Sequence, residues 1–376
     1  MILGLDSKLR WYAERMTALA RAERNLILRC PEPLNAETPP AKLMASFLTP
    51  QADFYIRSHG PTPELSDDHR VVLDGLVERP RSFTLGELKV AFPARAVTAT
   101  MQCAGNRRAH LQGVAETSGD PWDVGAIGNA EWTGVALADV LAAAGVRKGA
   151  LFVGTTGADE VDVDGETAPY GASIPIAKAL EPDVLIAWAM NGEPLAPEHG
   201  APLRLVVPGY AGVRSAKWLT RIEVRDRPSD APIQAKDYKL FPSSVTKEAV
   251  VWDQGLTINE MPINAAICSP ADDAQLTAGA CTIEGYAVAF GRTVSRVEVS
   301  VNGGTDWVQA DLLPKPYAPW SWTPWRATVE LSPGLHVLVV RAVDEAGQMQ
   351  PERPEAIWNF AGYLSTAWHR IAVTVA

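Results

Sequence analysis

The chain is short of the features that mark membrane proteins and nucleic-acid-binding proteins. No uninterrupted apolar run approaches the roughly 20 residues that a membrane-spanning helix needs. Lys and Arg number 34 against 44 Asp and Glu, so the formal net charge is -10. Proteins that neutralise nucleic-acid phosphates usually carry the opposite excess. We therefore expect no membrane span and no nucleic-acid partner.

Cysteine is also scarce, and its spacing excludes two common uses. The four cysteines, Cys30, Cys103, Cys268 and Cys281, form no CxxC pair, which argues against a zinc site and against a disulfide framework. Three of them lack cationic or metal-binding neighbours in the sequence, and we interpret these as structural. Cys103 is different and is considered below.

The length and composition are those of a folded protein with two domains. The chain has 376 residues, of which 47% are apolar and 21% charged, enough for two separate cores. Residues 1–44 are expected to form an N-terminal arm with an amphipathic helix over 8–30, ended by Pro31 and Pro33. The N-terminus resembles no signal peptide, so we expect a cytoplasmic location.

Residues 45–244 predict a mixed α+β domain. Short strands are indicated at 71–73 and 203–207, and helices at 135–144 and 176–180. The regular alternation of strand and helix that marks a doubly wound sheet is absent, so the fold class is α+β.

Residues 245–376 predict an immunoglobulin-like β-sandwich. Apolar and polar residues alternate cleanly along 297–301 and 335–339, and Gly303-Gly304 and Ser332-Pro333-Gly334 supply turns. This pattern is typical of antiparallel sheets with one buried face. The predicted strands lie at 281–289, 294–301, 307–312, 327–331 and 335–343.

The segment 98–108 carries the clearest chemical signal. Cys103 follows a predicted strand, and Gly105, Asn106, Arg107 and Arg108 come directly after it. Guanidinium groups beside a thiol favour the thiolate, which either binds a soft metal or attacks an electrophile. We therefore expect Cys103 to be the reactive cysteine.

The segment 102–108 resembles the cysteine motif of the family of sulfite oxidases and assimilatory nitrate reductases. The resemblance extends over most of 45–376 and implies the sulfite oxidase fold, with a molybdopterin-binding domain followed by a dimerisation domain. Cys103 would be the only protein ligand of a molybdenum atom that is also held by a single pterin. The segments that carry the resemblance are 53–59, 102–108, 122–132, 170–175, 190–195, 199–204, 207–210, 215–218, 236–243 and 357–370.

The resemblance also implies a set of cofactor-binding residues. Cations and hydrogen-bond donors would hold the pterin's phosphate and ring edges, while an aspartate would accept from ring N–H groups. These predicted residues are Tyr55, Arg57, His59, Cys103, Asp164, His199, Arg204, Ser215 and Lys217.

The implied reaction is the oxidation of sulfite to sulfate. Arg57 and Arg108 would bind the small oxyanion through forked, charge-assisted hydrogen bonds, and Trp122 and Tyr238 would complete a catalytic set with Cys103. The chain has no additional segment for a haem domain and no haem-attachment motif, so we expect an external electron acceptor such as a small cytochrome. The resemblance also implies a homodimer.

One departure from the family pattern affects the substrate. Sulfite oxidases usually carry a third substrate arginine where this chain has Ala361, and nitrate reductases of the family lack it too. Arg353 or Arg326 is near enough in sequence to replace the lost cation. The alternative function is therefore reduction of nitrate or of an S- or N-oxide at the same metal.

A second alternative is a binding module without catalysis. The aromatic segment 320–325 on a β-sandwich is compatible with stacking against a ligand. Tryptophan-rich strands of this family pack structurally, however, and we favour packing for this segment.

Overall fold

The computed structural model describes residues 26–66 and 68–376. Most of the helix predicted over 8–30 lies outside these residues, and its end is a strand instead, because Ile27–Cys30 pairs with Asn35–Glu37. The helices are α1 (Pro40–Leu43), α2 (Leu85–Ala91), α3 (Arg108–Gln112), α4 (Leu137–Ala144), α5 (Ile176–Ala179) and α6 (Pro232–Ala235). Short 3-10 turns lie at Gln51–Asp53, Pro197–His199, Gly212–Arg214, Lys247–Ala249, Trp252–Gln254 and Pro354–Ala356.

Strands dominate the described residues. The first fourteen are β1 (Ile27–Cys30), β2 (Asn35–Glu37), β3 (Arg70–Gly75), β4 (Arg81–Thr84), β5 (Ala94–Gln102), β6 (Ile127–Ala136), β7 (Phe152–Val163), β8 (Glu166–Pro175), β9 (Leu185–Met190), β10 (Glu193–Pro194), β11 (Arg204–Val206), β12 (Leu219–Arg225), β13 (Lys239–Leu240) and β14 (Leu256–Thr257). The others are β15 (Asn264–Ser269), β16 (Ala274–Leu276), β17 (Gly279–Val288), β18 (Val294–Ser300), β19 (Val308–Gln309), β20 (Asp311–Leu312), β21 (Thr323–Leu331), β22 (Gly334–Asp344) and β23 (His369–Val375).

The first part of the chain builds two five-stranded sheets. One has the order β10-β9-β6-β5, with β11 also paired to β9, and is antiparallel throughout. The other has the order β4-β3-β12-β7-β8, and only its β3–β12 pair is parallel. Helices connect strands without the regular crossovers of a parallel sheet, which confirms the α+β class.

Helix α4 shows how local sequence and packing together set an element. Leu137, Val140, Leu141 and Ala144 are buried at helical spacing. The helix starts two residues later than predicted, because the sheet keeps the preceding residues in β6. It ends at Gly145, whose φ of 73° suits a residue without a Cβ.

The last part of the chain is a sandwich of two sheets, with orders β15-β17-β21-β20 and β16-β23-β22-β18-β19. Ile283 and Trp325 of the first sheet pack against Val297, Leu338 and Val373 of the second. The alternation over 297–301 therefore identified the buried face correctly, since Val297 and Val299 are buried. Over 335–339 it was wrong, because Leu335 and Val337 are exposed and Leu338 is buried.

The predicted strand at 307–312 is wrong in one respect, because it is divided between the two sheets. Val308–Gln309 pairs with β18, whereas Asp311–Leu312 pairs with β21. Ala310 between them is buried, and its N–H donates to the carbonyl of Val297. The chain changes sheets at this point, as strands do at the corners of a sandwich.

The two parts share a continuous apolar core. Cys268, Tyr286 and Trp322 of the sandwich belong to the same buried cluster as residues of the first part. The Tyr286 hydroxyl donates to the carbonyl of Val124 at 3.0 Å and accepts from the Asn106 amide at 3.1 Å. The cysteine-containing loop is therefore fixed between the two parts. No helix among the described residues is long and apolar enough to cross a membrane.

Candidate active site

Cys103 lies just beyond the end of β5 and is 5% exposed. Its N–H donates to the carbonyl of Ala126, and Gly105 N–H points to its sulfur at 3.4 Å. The Asn106 side chain accepts from Ala126 N–H at 3.0 Å, which ties the loop to the start of β6. The sulfur is thus held by a rigid turn, as a metal ligand requires.

A cavity opens beside the Cys103 sulfur, and every predicted cofactor residue except Asp164 lines it. These residues come from separate strands, turns and loops, and only the tertiary fold brings them together. The lining includes Tyr55, Arg57, His59, Cys103, His199, Arg204, Ser215, Lys217 and Tyr238.

Arg204 is a buried cation that the backbone holds in place. Its guanidinium donates to the carbonyls of His199 at 2.9 Å and Ser215 at 3.1 Å, and stacks over Trp132 at 5.0 Å. Burial lowers the pKa of Arg204 to about 10. A buried guanidinium without a carboxylate partner is suited to an anionic ligand.

Lys217 adds a second cation to this wall. Its ammonium donates to Ser58 Oγ at 2.8 Å and to the carbonyl of Glu198 at 2.9 Å. Burial, together with the charges of Arg204 and Arg57, lowers the pKa of Lys217 to about 7. An anion bound beside it would restore the charged form.

Burial lowers the pKa of both cavity histidines. Burial lowers the pKa of His199 to about 4, and its Nε2 lies 3.1 Å from the carbonyl of Gln51, so Nε2 must donate. Burial and the charges of Arg57 and Lys217 hold the pKa of His59 well below its usual value. His59 Nε2 lies 2.7 Å from the Tyr238 hydroxyl, so one donates to the other.

The structure places Asp164 away from this cavity. It is exposed at the turn between β7 and β8, with a φ of 52°. Asp159 lines the cavity instead, and its Oδ1 is buried without a hydrogen-bond partner. Burial raises the pKa of Asp159 to about 6, against the lowering effect of Lys217. Asp159 lies two residues before the buried Val161 on β7, so the two side chains are on the same face of the strand. This alternation in the sequence would have selected Asp159.

A second cavity, the funnel, has a volume of about 350 Å³. Arg57 and His59 line both cavities, while Arg108, Asp237 and Tyr363 line the funnel and not the first cavity. Burial opposes the charge of Arg57, yet attraction from Tyr238 and Cys103 raises its pKa overall. The funnel therefore offers a route from solvent to Arg57, which also lines the cavity of Cys103.

Arg108 is held at the funnel wall by carbonyl groups. Its Nε donates to Ala361 at 3.0 Å and its Nη1 to Asp120 at 2.8 Å. A Cβ added at Gly105 or Gly119 would lie within 3.0 Å of this guanidinium. The glycines make room for the arginine, so its position is set by the surrounding backbone.

Trp122 is buried behind the site and lines neither cavity among the described residues. It belongs to the apolar cluster that contains Cys103, and its indole N–H has no hydrogen-bond partner in the structure. The expected wall of the substrate pocket is thus formed on this side by other residues. Trp122 supports the cysteine turn through packing.

Neither proposed replacement for the missing arginine reaches the funnel. Arg326 pairs with Glu284 on the sandwich surface, and Arg353 is exposed beside Glu352. The residue that sequence reasoning missed here is Tyr363, which lines the funnel and stacks on Tyr238 with ring centroids 4.9 Å apart. Its aromatic character alone gave no signal of this position.

The residues of the first cavity fit a molybdopterin. Buried cations suit its phosphate, the unpartnered oxygen of Asp159 suits ring N–H donors, and a buried sulfur suits the soft metal. The aromatic segment 320–325, by contrast, is largely occupied in packing, since Trp322 and Trp325 are fully buried.

Comparisons with known proteins agree with this chemistry. Residues 59–233 match the family model of the oxidoreductase molybdopterin binding domain, and residues 256–376 match that of the Mo-co oxidoreductase dimerisation domain. The solved structure of the sulfane dehydrogenase SoxCD from Paracoccus pantotrophus superposes with a TM-score of 0.80 at 27% identity, covering 93% of this chain and 88% of that one.

Curated relatives match over nearly the whole chain. Nitrate reductase [NADH] 1 of Phaseolus vulgaris is 38% identical over 91% of this chain and 42% of its own length. Sulfite oxidase of Gallus gallus is 42% identical over 90% of this chain and 76% of the relative. Sulfite oxidase of Arabidopsis thaliana is 40% identical over 92% of this chain and 93% of the relative. The chain therefore belongs to the sulfite oxidase family of molybdenum-cofactor oxidoreductases.

Proposed function

We propose that this enzyme oxidises sulfite to sulfate at a molybdenum centre ligated by Cys103 and passes the electrons to an external acceptor such as a small cytochrome. The observation that carries the proposal is the position of Arg57. It lines both the cavity that contains the Cys103 sulfur and the funnel that contains Arg108. An oxyanion held by the two guanidinium groups would lie next to the metal ligand.

The first cavity would hold the cofactor. Arg204 and Lys217, with His199 and Ser215, would bind the anionic and polar edges of the pterin, and Asp159 would accept its N–H groups. When bound, the molybdenum centre supplies oxygen-atom transfer and two-electron redox chemistry. The residues named here bind and orient the cofactor and tune its surroundings.

The funnel residues would bind the substrate and handle protons. Arg57 and Arg108 would orient the oxyanion through charge-assisted hydrogen bonds. Oxidation of sulfite consumes water and releases two protons, and the hydrogen-bonded pair of His59 and Tyr238 is placed to receive one. Because burial and the charges of Arg57 and Lys217 hold the pKa of His59 well below its usual value, the pair would pass this proton on rather than keep it.

A second candidate function is reduction of nitrate or of an S- or N-oxide at the same centre. Ala361 favours it, because the funnel lacks the third arginine that sulfite oxidases usually carry. The similarity to a plant nitrate reductase is in accord with this alternative.

We also propose a homodimer that forms through the C-terminal sandwich. The match to a dimerisation domain over residues 256–376 supports it. Sedimentation velocity of the metal-loaded protein distinguishes a dimer from a monomer.

The test of the function is an anaerobic optical titration of the oxidised, molybdenum-loaded enzyme with sulfite. Stoichiometric sulfite is expected to bleach the thiolate-to-molybdenum absorption. If sulfite leaves the spectrum unchanged while nitrate reoxidises the reduced centre, the second candidate replaces the first. Cys103→Ser is expected to abolish the absorption, and Cys281→Ser, a change at a half-buried thiol of β17, serves as the matched control.

A further inference from the structure

The inner funnel carries less positive charge than a doubly charged oxyanion requires. Two guanidinium groups, those of Arg57 and Arg108, face the carboxyl group of Asp237 there. Ala361, at the position where sulfite oxidases usually carry an arginine, adds no charge. Asp120 also acts on the charge of Arg57, so the side chains at this end carry at most a single net positive charge when Asp237 is ionised.

The rest of the funnel does not correct this balance. Lys236 and Lys247 are its remaining cations among the described residues, and Asp120, Asp162 and Asp164 are its remaining carboxylates. Lys236 is moreover paired with Glu166 outside the funnel at 2.5 Å. No excess of positive charge is available at the mouth to attract a dianion.

Asp237 is fixed in this position by two hydrogen bonds to one of its oxygens. The Tyr363 hydroxyl donates to Oδ1 at 2.5 Å, and the backbone N–H of Tyr238 donates to the same atom at 2.8 Å. Tyr363 also stacks on Tyr238, and the Arg108 guanidinium lies over its ring at 5.3 Å. Tyr363 thereby connects the carboxylate to two groups expected to contact the substrate.

We propose that Asp237, held by Tyr363, is a specificity-determining residue that makes the funnel prefer singly charged oxyanions over doubly charged ones. The preferred substrates are then hydrogen sulfite, a sulfinate with an organic group, or nitrate, rather than the sulfite dianion. The physical reason is repulsion, because a carboxylate beside the bound anion opposes each added negative charge. This inference rests on the proposed function, since it assumes that the oxyanion binds between Arg57 and Arg108.

The test uses two tetrahedral anions of similar size that differ in charge, methanesulfonate and sulfate. Their dissociation constants are measured by titration calorimetry on the molybdenum-loaded, oxidised enzyme at pH 8. Wild-type enzyme is expected to bind methanesulfonate more tightly. Asp237→Asn should shift the ratio toward sulfate by about tenfold or more, since it removes a charge and retains the hydrogen-bond acceptor. Ala361→Arg should shift the ratio the same way.

Tyr363→Phe separates a role in positioning from one in packing. It keeps the stacked ring but removes the hydroxyl that donates to Asp237, so it should change the anion ratio, whereas a loss of packing or of stability alone would leave the ratio unchanged. Asp226→Asn, at a carboxylate paired with Arg227 outside the funnel, is the matched control and should leave the ratio unchanged.

Tighter binding of sulfate by the wild-type enzyme, or a ratio that Asp237→Asn does not move, overturns the inference. Such a result leaves the proposed function intact if sulfite still bleaches the molybdenum absorption. A different outcome is also possible: methanesulfonate binds more tightly than sulfate and Asp237→Asn shifts the ratio, but sulfite does not bleach the molybdenum absorption. That outcome rejects sulfite oxidation and supports the role of Asp237.

Discussion

Arg107 and Arg108 are adjacent in the sequence, yet their guanidinium groups serve opposite sides of the cysteine loop. Arg107 adopts a left-handed backbone conformation, with a φ of 65°, immediately before α3. Its side chain enters the sandwich and donates to Asn264 Oδ1 at 2.8 Å and to the carbonyl of Ala367 at 2.7 Å. Arg108 faces the funnel. One arginine joins the two parts of the protein, and the other is available to an anion.

Arg107→Met should therefore destabilise the protein. The change removes the donor to the Asn264 oxygen and leaves the carbonyls of Ala265 and Ala367 only the longer contacts from the Gln350 amide. We expect the free energy of unfolding to fall by about 3 kcal/mol or more. Urea unfolding of the two variants Arg107→Met and Arg79→Met gives the comparison. Arg79 is exposed and donates to Ala143, so its loss should cost about 0.5 kcal/mol or less. Equal effects would contradict the joining role.

Gly105→Ala should impair substrate binding through Arg108. The new Cβ would come within 2.5 Å of the Arg108 guanidinium, which carbonyl groups hold in place, so the guanidinium must shift. We expect KM for sulfite to rise about tenfold or more, since a charge-assisted hydrogen bond contributes roughly 1.5–3 kcal/mol. Steady-state kinetics of the loaded enzyme measures this. Gly86→Ala, where the nearest atom would be 3.9 Å away, is the control.

Asp159→Asn should reduce cofactor binding, whereas Asp164→Asn should not. Of the two, Asp159 lines the cavity with the Cys103 sulfur, and its buried Oδ1 has no hydrogen-bond partner among the described residues. An amide in its place loses the charge that attracts ring N–H donors. Molybdenum content measured by mass spectrometry after expression in a cofactor-competent host tests this expectation. Loss of the metal in Asp164→Asn but not in Asp159→Asn would restore the original assignment.

Acid should destabilise the contact between the two parts through His369. Burial, with the charges of Arg107 and His110, holds the pKa of His369 well below its ordinary value of 6.5. The unfolded chain binds a proton below pH 6.5 that the folded chain does not, so this contribution to stability is complete above pH 6.5 and is lost as the pH falls. His369→Asn keeps an acceptor for Ile267 N–H. The loss of unfolding free energy between pH 7.5 and 5.5 should be about 1 kcal/mol smaller in the variant, and parallel curves would contradict this.

Local patterns predicted much of the sandwich and selected Cys103, which the structure places beside the first cavity. The pattern over 335–339 identified a strand but not its buried face, because Leu335 and Val337 are exposed whereas Leu338 is buried. Over 297–301 the alternation was correct for Val297 and Val299, which are both buried. The single strand predicted at 307–312 failed at Ala310, because a change of sheet depends on which neighbour each half meets. Pairing with β18 or β21 is a long-range property that a short window does not contain.

For the candidate site, too, some features follow from the sequence and others only from the tertiary structure. The sequence by itself determined the family, the candidate cysteine and the residue types expected to bind an anionic cofactor, since these depend on which side chains occur and in what order. Only the tertiary structure placed Asp159 and not Asp164 in the first cavity, directed Arg107 and Arg108 to opposite sides of the cysteine loop, and brought Tyr363 to Asp237. The reason is physical: the bulge in β7, the left-handed turn before α3 and the packing of 357–364 against the first part set these directions. Each depends on contacts between segments that are distant in the chain.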